Sequence, residues 1–432
     1  MLRKIIIMLF IIAFSFSLFS IPAIAFELDK TDASVDSYYL FDLKNNLVMA
    51  EENADKIISP SSSVKIMTAC IILESELDLN TEIEISEKML LNVSGRNMEL
   101  EIGNKLTAGD LLYAMLCGGF NDATVALALS ISPTLYEFTN LMNEKAESLG
   151  MTSTRYANVT GMEAAAAKTA ARDLSILAKY MAQNEKFVEV CSTKFYRFSD
   201  NATSKYTSVN NRSTLLSAYK GLANFNTGSS KNGDCAIVYY KTDDCELISI
   251  VMNALALDES DTSNYAEAYT EKLLSHALND YETVTVKSAK NPITSLPVKY
   301  SISSGNIDLY LKKDVNLFLS KDVDVNSDLT YNIQIYGDEL KAPISIGDEV
   351  GVLTVSHNGI LLSSTPILAN VSIERNGFLY AIDVMKSFIT SIWFIIILIT
   401  VLLLAIWARS RKKRKFRKKK RKRKNKSKII KK

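Results

Sequence analysis

Between Ser387 and Ala408 the chain runs for 22 residues without a charged side chain, and in the following stretch, Arg409 to Lys432, 18 of 24 residues are Lys or Arg and none is acidic. At about 1.5 Å rise per residue a helix over that run reaches roughly 33 Å, enough to cross a bilayer. A basic flank marks the cytoplasmic side of such a helix, so the run predicts a single-pass transmembrane helix over 387–408, a basic cytoplasmic tail over 409–432 and everything earlier outside. A basic run that directly follows a membrane helix reads as a topogenic anchor attracted to anionic lipid, not as a nucleic-acid site. The N-terminus agrees. Arg3 and Lys4 precede an apolar run from Ile5 to about Leu18, and Ala23-Ile24-Ala25 is the small-x-small pattern of a secretory cleavage site. Residues 1–25 are therefore expected to be a signal peptide, with an uncleaved N-terminal anchor as the alternative. The bulk of the chain is placed on the extracytoplasmic side of the cell membrane.

The near-neutral net charge of +2 hides an asymmetry. Without the 18 basic residues of the tail and the two of the leader, 30 Lys plus Arg face 48 Asp plus Glu. An acidic exported portion favours solubility and disfavours polyanionic ligands. The five cysteines, Cys70, Cys117, Cys191, Cys235 and Cys245, show no C-x-x-C spacing, so neither a zinc site nor a disulfide framework is indicated. Cys235 and Cys245 are expected on the two strands of a hairpin turning near Thr242-Asp243-Asp244. That register puts Cys235 opposite a residue near Val251 and predicts no bond between the two thiols.

About 360 residues lie between leader and membrane run, more than one ordinary core. The pattern changes near residue 285. Before it, strand-like runs (Tyr38 to Leu43, then Leu47 to Ala50 after Asn45-Asn46) mix with helical patterns at Leu111 to Leu116 and Ala123 to Leu129, giving a mixed α and β domain over 26–284. Ala164 to Ala167 is a loop or a helix fragment. After residue 285 come short alternating strands at 298–302, 307–311, 329–335, 350–355 and, beyond an Asn358-Gly359 turn, 360–362. These predict a small all-β domain over 285–375, joined by a connector at 376–386 to the membrane.

The chemistry concentrates in Ser59-Pro60-Ser61-Ser62-Ser63-Val64-Lys65-Ile66-Met67-Thr68. A helix starting there stacks Ser62 and Lys65 on one face, a hydroxyl beside an amine that can take its proton once burial lowers the lysine pKa. Ser-x-x-Lys also arises by chance, where the lysine is merely solvated. Only two histidines exist, and His276 lies in Leu273-Leu274-Ser275-His276-Ala277-Leu278, an ordinary helical pattern. A Ser-His-Asp triad is therefore disfavoured and lysine is left as the base. No His, Cys or carboxylate cluster has metal-ligand spacing, and no cofactor is expected.

Several further segments occur in order: Ala54-Asp55, Ile58-Ser59-Pro60, Asn121-Asp122-Ala123-Thr124-Val125-Ala126-Leu127-Ala128, Leu149-Gly150-Met151-Thr152-Ser153-Thr154, Asn158-Val159-Thr160-Gly161-Met162, Thr169-Ala170-Ala171-Arg172-Asp173-Leu174, and Thr227-Gly228 before a hairpin reaching Met252. With the Ser62 helix start, residues 37–284 resemble a D-alanyl-D-alanine carboxypeptidase of the low-molecular-mass penicillin-binding proteins, serine-type D,D-peptidases. The resemblance implies an α/β (α+β) DD-peptidase/β-lactamase-like transpeptidase domain, followed by the small all-β domain and the C-terminal membrane helix. It implies Ser62 as the acylated nucleophile, Lys65 as its proton acceptor and Asn121 as the asparagine of a Ser-x-Asn motif that holds substrate and lysine. Thr227 and Gly228 match the end of a Lys-Thr-Gly motif on the strand edging the cleft, where a peptide or β-lactam would pair. The implied partners are the stem peptide of peptidoglycan, from which the last D-alanine is removed, and β-lactams as acylating ligands.

Two positions depart from that pattern. Gly119 stands where the second motif has serine, so the hydroxyl that relays a proton to the leaving amine is missing. Asn226 stands where the third motif has lysine, so the cation on the substrate carboxylate is gone. General acid–base help is typically worth about 10²–10⁴-fold and a charged hydrogen bond roughly 1.5–3 kcal/mol, so both losses bear on turnover. Water is the candidate stand-in for the serine, and Lys220 or Lys231 for the cation on the carboxylate. Glu163 falls where efficient β-lactamases carry a water-activating glutamate, but Met162-Glu163-Ala164-Ala165-Ala166-Ala167 lacks the asparagine such a loop uses, which disfavours β-lactamase activity. The sequence thus supports a membrane-anchored carboxypeptidase that trims cell-wall peptides, and, as the competing reading, a catalytically degenerate relative that binds peptidoglycan or a cell-wall partner without turnover. A structural surface protein working through its β domain is a third, minor reading.

Overall fold

The structure, a computed structural model, describes residues 33–256, 264–301, 306–337, 339–407, 409 and 411. The expected signal peptide at 1–25 and nearly all of the basic tail lie outside the described residues. The chain divides into two compact units, one made of residues up to Lys287 with Val315–Tyr331 and Val355–Ser363, the other of Ser288–Asp314, Asn332–Thr354 and the chain from Ser364.

The first unit is organised by a five-stranded antiparallel sheet. Its strands are β1 (Ala33–Asp42), β2 (Leu47–Glu52), β3 (Leu222–Ser230), β4 (Gly233–Lys241) and β5 (Glu246–Ala256), in the order β2-β1-β5-β4-β3. Successive side chains of a strand point to opposite faces, and both faces here are apolar. Tyr39 and Phe41 of β1, Ile237 and Tyr239 of β4, and Ile248, Ile250 and Met252 of β5 pack into the larger core. Tyr38, Leu40, Val238, Tyr240, Leu247 and Val251 pack on the other side, against Tyr269, Leu273, Leu274 and Ala277 of a helix at Tyr265–Asp280. A strand buried on both faces must be apolar throughout, which is why Ala236 to Tyr240 reads as an unbroken apolar run.

The larger core holds α1 (Val64–Glu74), α2 (Asn121–Ile131) and α3 (Ala171–Met181). α1 has no polar face, because all of Val64 to Cys70 and Ile72 are buried, as befits a helix enclosed on all sides. Its two buried polar side chains therefore need partners, and they find consecutive carbonyls. Lys65 Nζ donates to Thr160 O at 2.8 Å, and Thr68 Oγ1 donates to Val159 O at 2.8 Å. Those carbonyls belong to a loop closed by Asn158, whose Oδ1 accepts from Gly161 N at 2.7 Å. Ala164 to Ala167 is a loop.

The hairpin expectation needs one correction. β4 ends at Lys241 and β5 starts at Glu246, so Cys245 sits in the turn, not on a strand. Ala236 pairs with Val251 beside a bulge at Cys235, and all five cysteines are free and buried. A further ribbon, Tyr281–Lys287 with Val315–Ser320, belongs to the first unit and was not foreseen.

The second unit is carried by strands of a six-stranded sheet: β6 (Thr294–Lys299), β7 (Asn306–Leu311), β8 (Leu329–Ile335), β9 (Leu340–Lys341), β10 (Glu349–His357) and β11 (Ile360–Ala369), ordered β8-β10-β11-β7-β6-β9. The expected connector is helical, since Asn376 caps a helix at Gly377–Thr390 by accepting from Phe378 N and Leu379 N. Among the described residues no single helix is long and apolar enough to cross a membrane. The expected 387–408 span instead straddles a break, with Gly377–Thr390 and Ile392–Trp407 meeting at 61°, and only the two helices together have the length and apolar composition of a span.

Candidate active site

The nucleophile candidate does not sit inside α1 but on the 3₁₀ turn Ser61–Ser63 that leads into it. Ser61 adopts φ +47°, and Ser63 Oγ closes the turn on Pro60 O at 2.5 Å. A non-glycine residue at positive φ is strained and persists only where its surroundings hold it. Here the holder is Gly161, whose φ is +82° and whose Cβ, if present, would lie 1.8 Å from Ser61 O. The glycine of Asn158-Val159-Thr160-Gly161-Met162 is thus the contact surface for the turn that presents Ser62.

Strand β3 approaches Ser62 from the other side. A Cβ on Gly228 would fall 1.7 Å from Ser62 Oγ, so only glycine lets the hydroxyl stand there. Asn226, two residues earlier, donates from Nδ2 to Ser62 Oγ at 3.2 Å and contacts Cys235 Sγ at 3.3 Å, while Cys235 Sγ lies 3.5 Å from Ser62 Oγ. The Thr227 hydroxyl points away from Ser62, donating to Asn224 Oδ1 at 2.8 Å and lying 3.4 Å from Glu267 Oε1.

Lys65 is 5 % exposed, and the amine is lowered from the ordinary lysine range to about 7. Burial is the main cause, and the like charge of Arg212 adds to it. A neutral amine near pH 7 is what a lysine base requires. Asn121 opens α2. Its backbone N–H donates to Arg96 O and its side-chain Nδ2 to Ser94 O, each at 2.7 Å. Among the described residues no hydrogen bond joins Lys65 directly to Ser62 or Asn121.

These groups face a cleft of about 360 Å³ whose lining includes Ser62, Lys65, Gly119, Asn121, Thr160 and Gly161. Asn226, Thr227 and Gly228 are not in the lining, to which that side of the cleft contributes Ser229 to Asn232 instead. Of the two lysines offered as substitutes for the third-motif cation, Lys231 lines the cleft but pairs with Glu163 at 2.5 Å, and Lys220 does not line it. Two charged lining residues, Arg212 and Arg96, went unnoticed in the sequence. Arg212 Nη1 donates to Thr227 O at 2.7 Å, and Arg96 Nε to Gly118 O at 2.6 Å. His276 bonds Asp280 Oδ2 from its helix and is absent from the lining. Among the described residues no group of three or more His, Cys, Asp or Glu is placed to hold a metal ion.

Residues 25–256 match the family described as D-alanyl-D-alanine carboxypeptidase, which is more than half of the chain. The chain belongs to that family. Residues 281–375 match the C-terminal domain of penicillin-binding protein 5. Among curated relatives, the D-alanyl-D-alanine carboxypeptidase DacF of Bacillus subtilis is 26 % identical over 348 residues, covering 79 % of this chain and 87 % of the relative. DacC of Escherichia coli, also named a D-alanyl-D-alanine carboxypeptidase, is 27 % identical over 381 residues, 84 % of this chain and 90 % of its own. Penicillin-binding protein 5 of Haemophilus influenzae shares the fold with a TM-score of 0.60 at 21 % identity, covering 79 % of this chain and 98 % of that one. A peptidoglycan synthesis regulatory factor of Streptococcus pneumoniae does so with a TM-score of 0.63 at 17 % identity, covering 79 % and 99 %. The family resemblance read from the motifs is therefore correct, and with it the DD-peptidase domain followed by a β-rich C-terminal domain.

Proposed function

We propose that this chain is a serine D,D-carboxypeptidase acting on the D-Ala-D-Ala terminus of peptidoglycan stem peptides. The observation that carries the reading is Lys65, buried one helical turn from Ser62 with its amine brought down to about 7. Lys65 takes the proton of Ser62 Oγ as the oxygen attacks the carbonyl of the penultimate residue. The tetrahedral adduct collapses to an acyl-enzyme ester, and D-alanine leaves as an amine that must gain a proton. With no hydroxyl at Gly119, protonated Lys65 is the donor this chain retains. Water then cleaves the ester, its proton passing through the same amine to the departing Ser62 oxygen. A β-lactam would acylate Ser62 by the same first step. Asn226 holds the hydroxyl by its 3.2 Å bond.

The competing reading, a binder without turnover, has a specific observation in its favour. The side-chain amide of Asn121 is committed to Ser94 O, and the cleft lacks the second-motif hydroxyl. The two readings separate on D-alanine release from an N-acylated L-Lys-D-Ala-D-Ala peptide. The enzyme reading expects release that Ser62→Ala abolishes, and a folded wild-type chain that releases none favours the binder.

We further propose that the C-terminal segment anchors the chain with its two units outside the cell. Supporting this are the 22 uncharged residues, the basic run after them, and the bent helix pair, in which Ile392–Trp407 is uncharged throughout while Gly377–Thr390 carries Asp383 and Lys386. Lys299 pairs with Asp383 at 3.2 Å, tying the first of those helices to the second unit's strand β6.

A further inference from the structure

The thiol of Cys235 stands against the nucleophile, and nothing in the proposed chemistry uses it. Cys235 is 1 % exposed and lies on strand β4 directly opposite Gly228 of β3. Residues that face each other across a ladder put their side chains on one face of the sheet, and Asn226, two residues before Gly228, shares that face. Gly228 leaves the space between them open. A Cβ there would lie 3.5 Å from Cys235 Sγ and 1.7 Å from Ser62 Oγ, so the thiol and the hydroxyl meet across the missing side chain. The irregular pairing of β4 with β5 between Asp234 and Ala236 leaves Cys235 out of that ladder, and bulges of this kind re-aim the side chain they carry.

Three polar atoms close a ring. Asn226 Nδ2 lies 3.2 Å from Ser62 Oγ and 3.3 Å from Cys235 Sγ, and Sγ lies 3.5 Å from Oγ. The amide nitrogen has two hydrogens and only donates, one hydrogen to the oxygen and one to the sulfur. Burial pushes the thiol up, so the sulfur keeps its own hydrogen. With Sγ accepting from Asn226, its S–H is the donor that remains for Ser62 Oγ. A serine hydroxyl has one hydrogen to give and two lone pairs to fill. Asn226 and Cys235 fill both, which turns the O–H away from the strands and toward the cleft that Lys65 lines. We propose that Cys235, acting with Asn226, is a positioning residue that holds Ser62 Oγ by two donors and leaves its hydrogen for the base. Asparagine at 226 suits that arrangement, since its amide supplies one hydrogen to each of two acceptors. The inference rests on the hydrolase reading for the reaction served, whereas the contact itself is tested without turnover.

The test uses the full-length chain and two readouts. The first is the S–H stretching region of the infrared spectrum, where the band lost in Cys235→Ala is that of Cys235 among the five free thiols. Ser62→Ala removes the acceptor and should shift that band to higher wavenumber. The second is the rate of acylation by benzylpenicillin. Cys235→Ala should slow it about three- to tenfold, the worth of one neutral hydrogen bond, while the midpoint of its pH profile stays at about 7 because Lys65 is untouched. Cys235→Ser, which keeps a donor and an acceptor at that place, should recover most of the loss. The inference is overturned if the Cys235 band stays where it is in Ser62→Ala or if Cys235→Ala acylates at the wild-type rate. It is equally overturned if Cys235→Ser is as slow as Cys235→Ala, or if the pH midpoint moves up in Cys235→Ala, since either result marks a packing role. Failure of the hydrolase reading is seen separately. A wild-type chain that forms no adduct with benzylpenicillin, together with a band that shifts in Ser62→Ala, leaves the thiol assigned to Ser62 and removes turnover.

Discussion

On the proposed mechanism, Lys65 couples the acid–base chemistry of this cleft to the stability of the fold. Acylation by benzylpenicillin should rise about tenfold per pH unit below pH 7 and level off above it, because the base is the neutral amine and its value is about 7. A rate independent of pH between 5.5 and 8.5 would remove Lys65 from that role. In the folded chain the amine is held below its ordinary value, so between about pH 7 and the usual lysine range the unfolded chain binds more protons. Stability therefore rises with pH across that window, by about 1.4 kcal/mol per unit at most. Lys65→Met, which removes the buried amine, should raise the midpoint of thermal unfolding more at pH 6 than at pH 9 while abolishing acylation. Two glycines make separable predictions. Gly161→Ala, at φ +82° and against Ser61 O, should cost about 3 kcal/mol or more in denaturant unfolding. Gly228→Ala meets only the side chain of Ser62 and the more distant Cys235 Sγ, so it should lose the penicillin adduct with a much smaller change in unfolding midpoint.

At the scale of elements, the polar residues of α1 hold the loop that faces the cleft. Thr68→Val would leave Val159 O without its 2.8 Å partner, for a cost of about 1–3 kcal/mol, and should slow acylation by loosening the Thr160 carbonyl next to it. Unchanged acylation in a measurably destabilised Thr68→Val chain would show that the loop is held independently of α1. Much of this was legible in the sequence. Three-residue spacing at a helix entry put Ser62 and Lys65 on the lining of one cleft with Asn121, whereas the strand of Thr227-Gly228 reaches that lining through Ser229 to Asn232. What the sequence did not show depends on register. The irregular pairing between Asn224 and Asn226 decides that Asn226 and Gly228 face Ser62 while Thr227 faces Glu267. The bulge at Cys235 sets the thiol beside the hydroxyl, and neither irregularity leaves a mark in residue order. Arg212 follows a two-stranded ribbon, Phe195–Ser199 with Tyr206–Asn210, whose reach is set by pairing between segments and not by local pattern. The strand Val315–Ser320 was missed because its partner, Tyr281–Lys287, lies on the other side of the change in pattern near residue 285.

For the molecule as a whole, composition spoke clearly and geometry did not. The uncharged run and its basic flank are visible by eye, whereas the 61° break falls at the extended backbone of Ser391 (φ −75°, ψ 148°), which no hydropathy average reports. Truncation after Arg375 should release the chain from membrane fractions and leave penicillin acylation intact. Continued sedimentation of the truncated chain with membranes would place the anchor elsewhere. The central claim is that the Ser62 and Lys65 pair works despite Gly119 and Asn226. Its most direct test is the intact mass of the protein after incubation with benzylpenicillin, with Ser62→Ala as control. A covalent adduct in the wild type that is absent from the mutant is the predicted result. A folded wild-type chain that gains no mass, or an adduct that survives in Ser62→Ala, would contradict it.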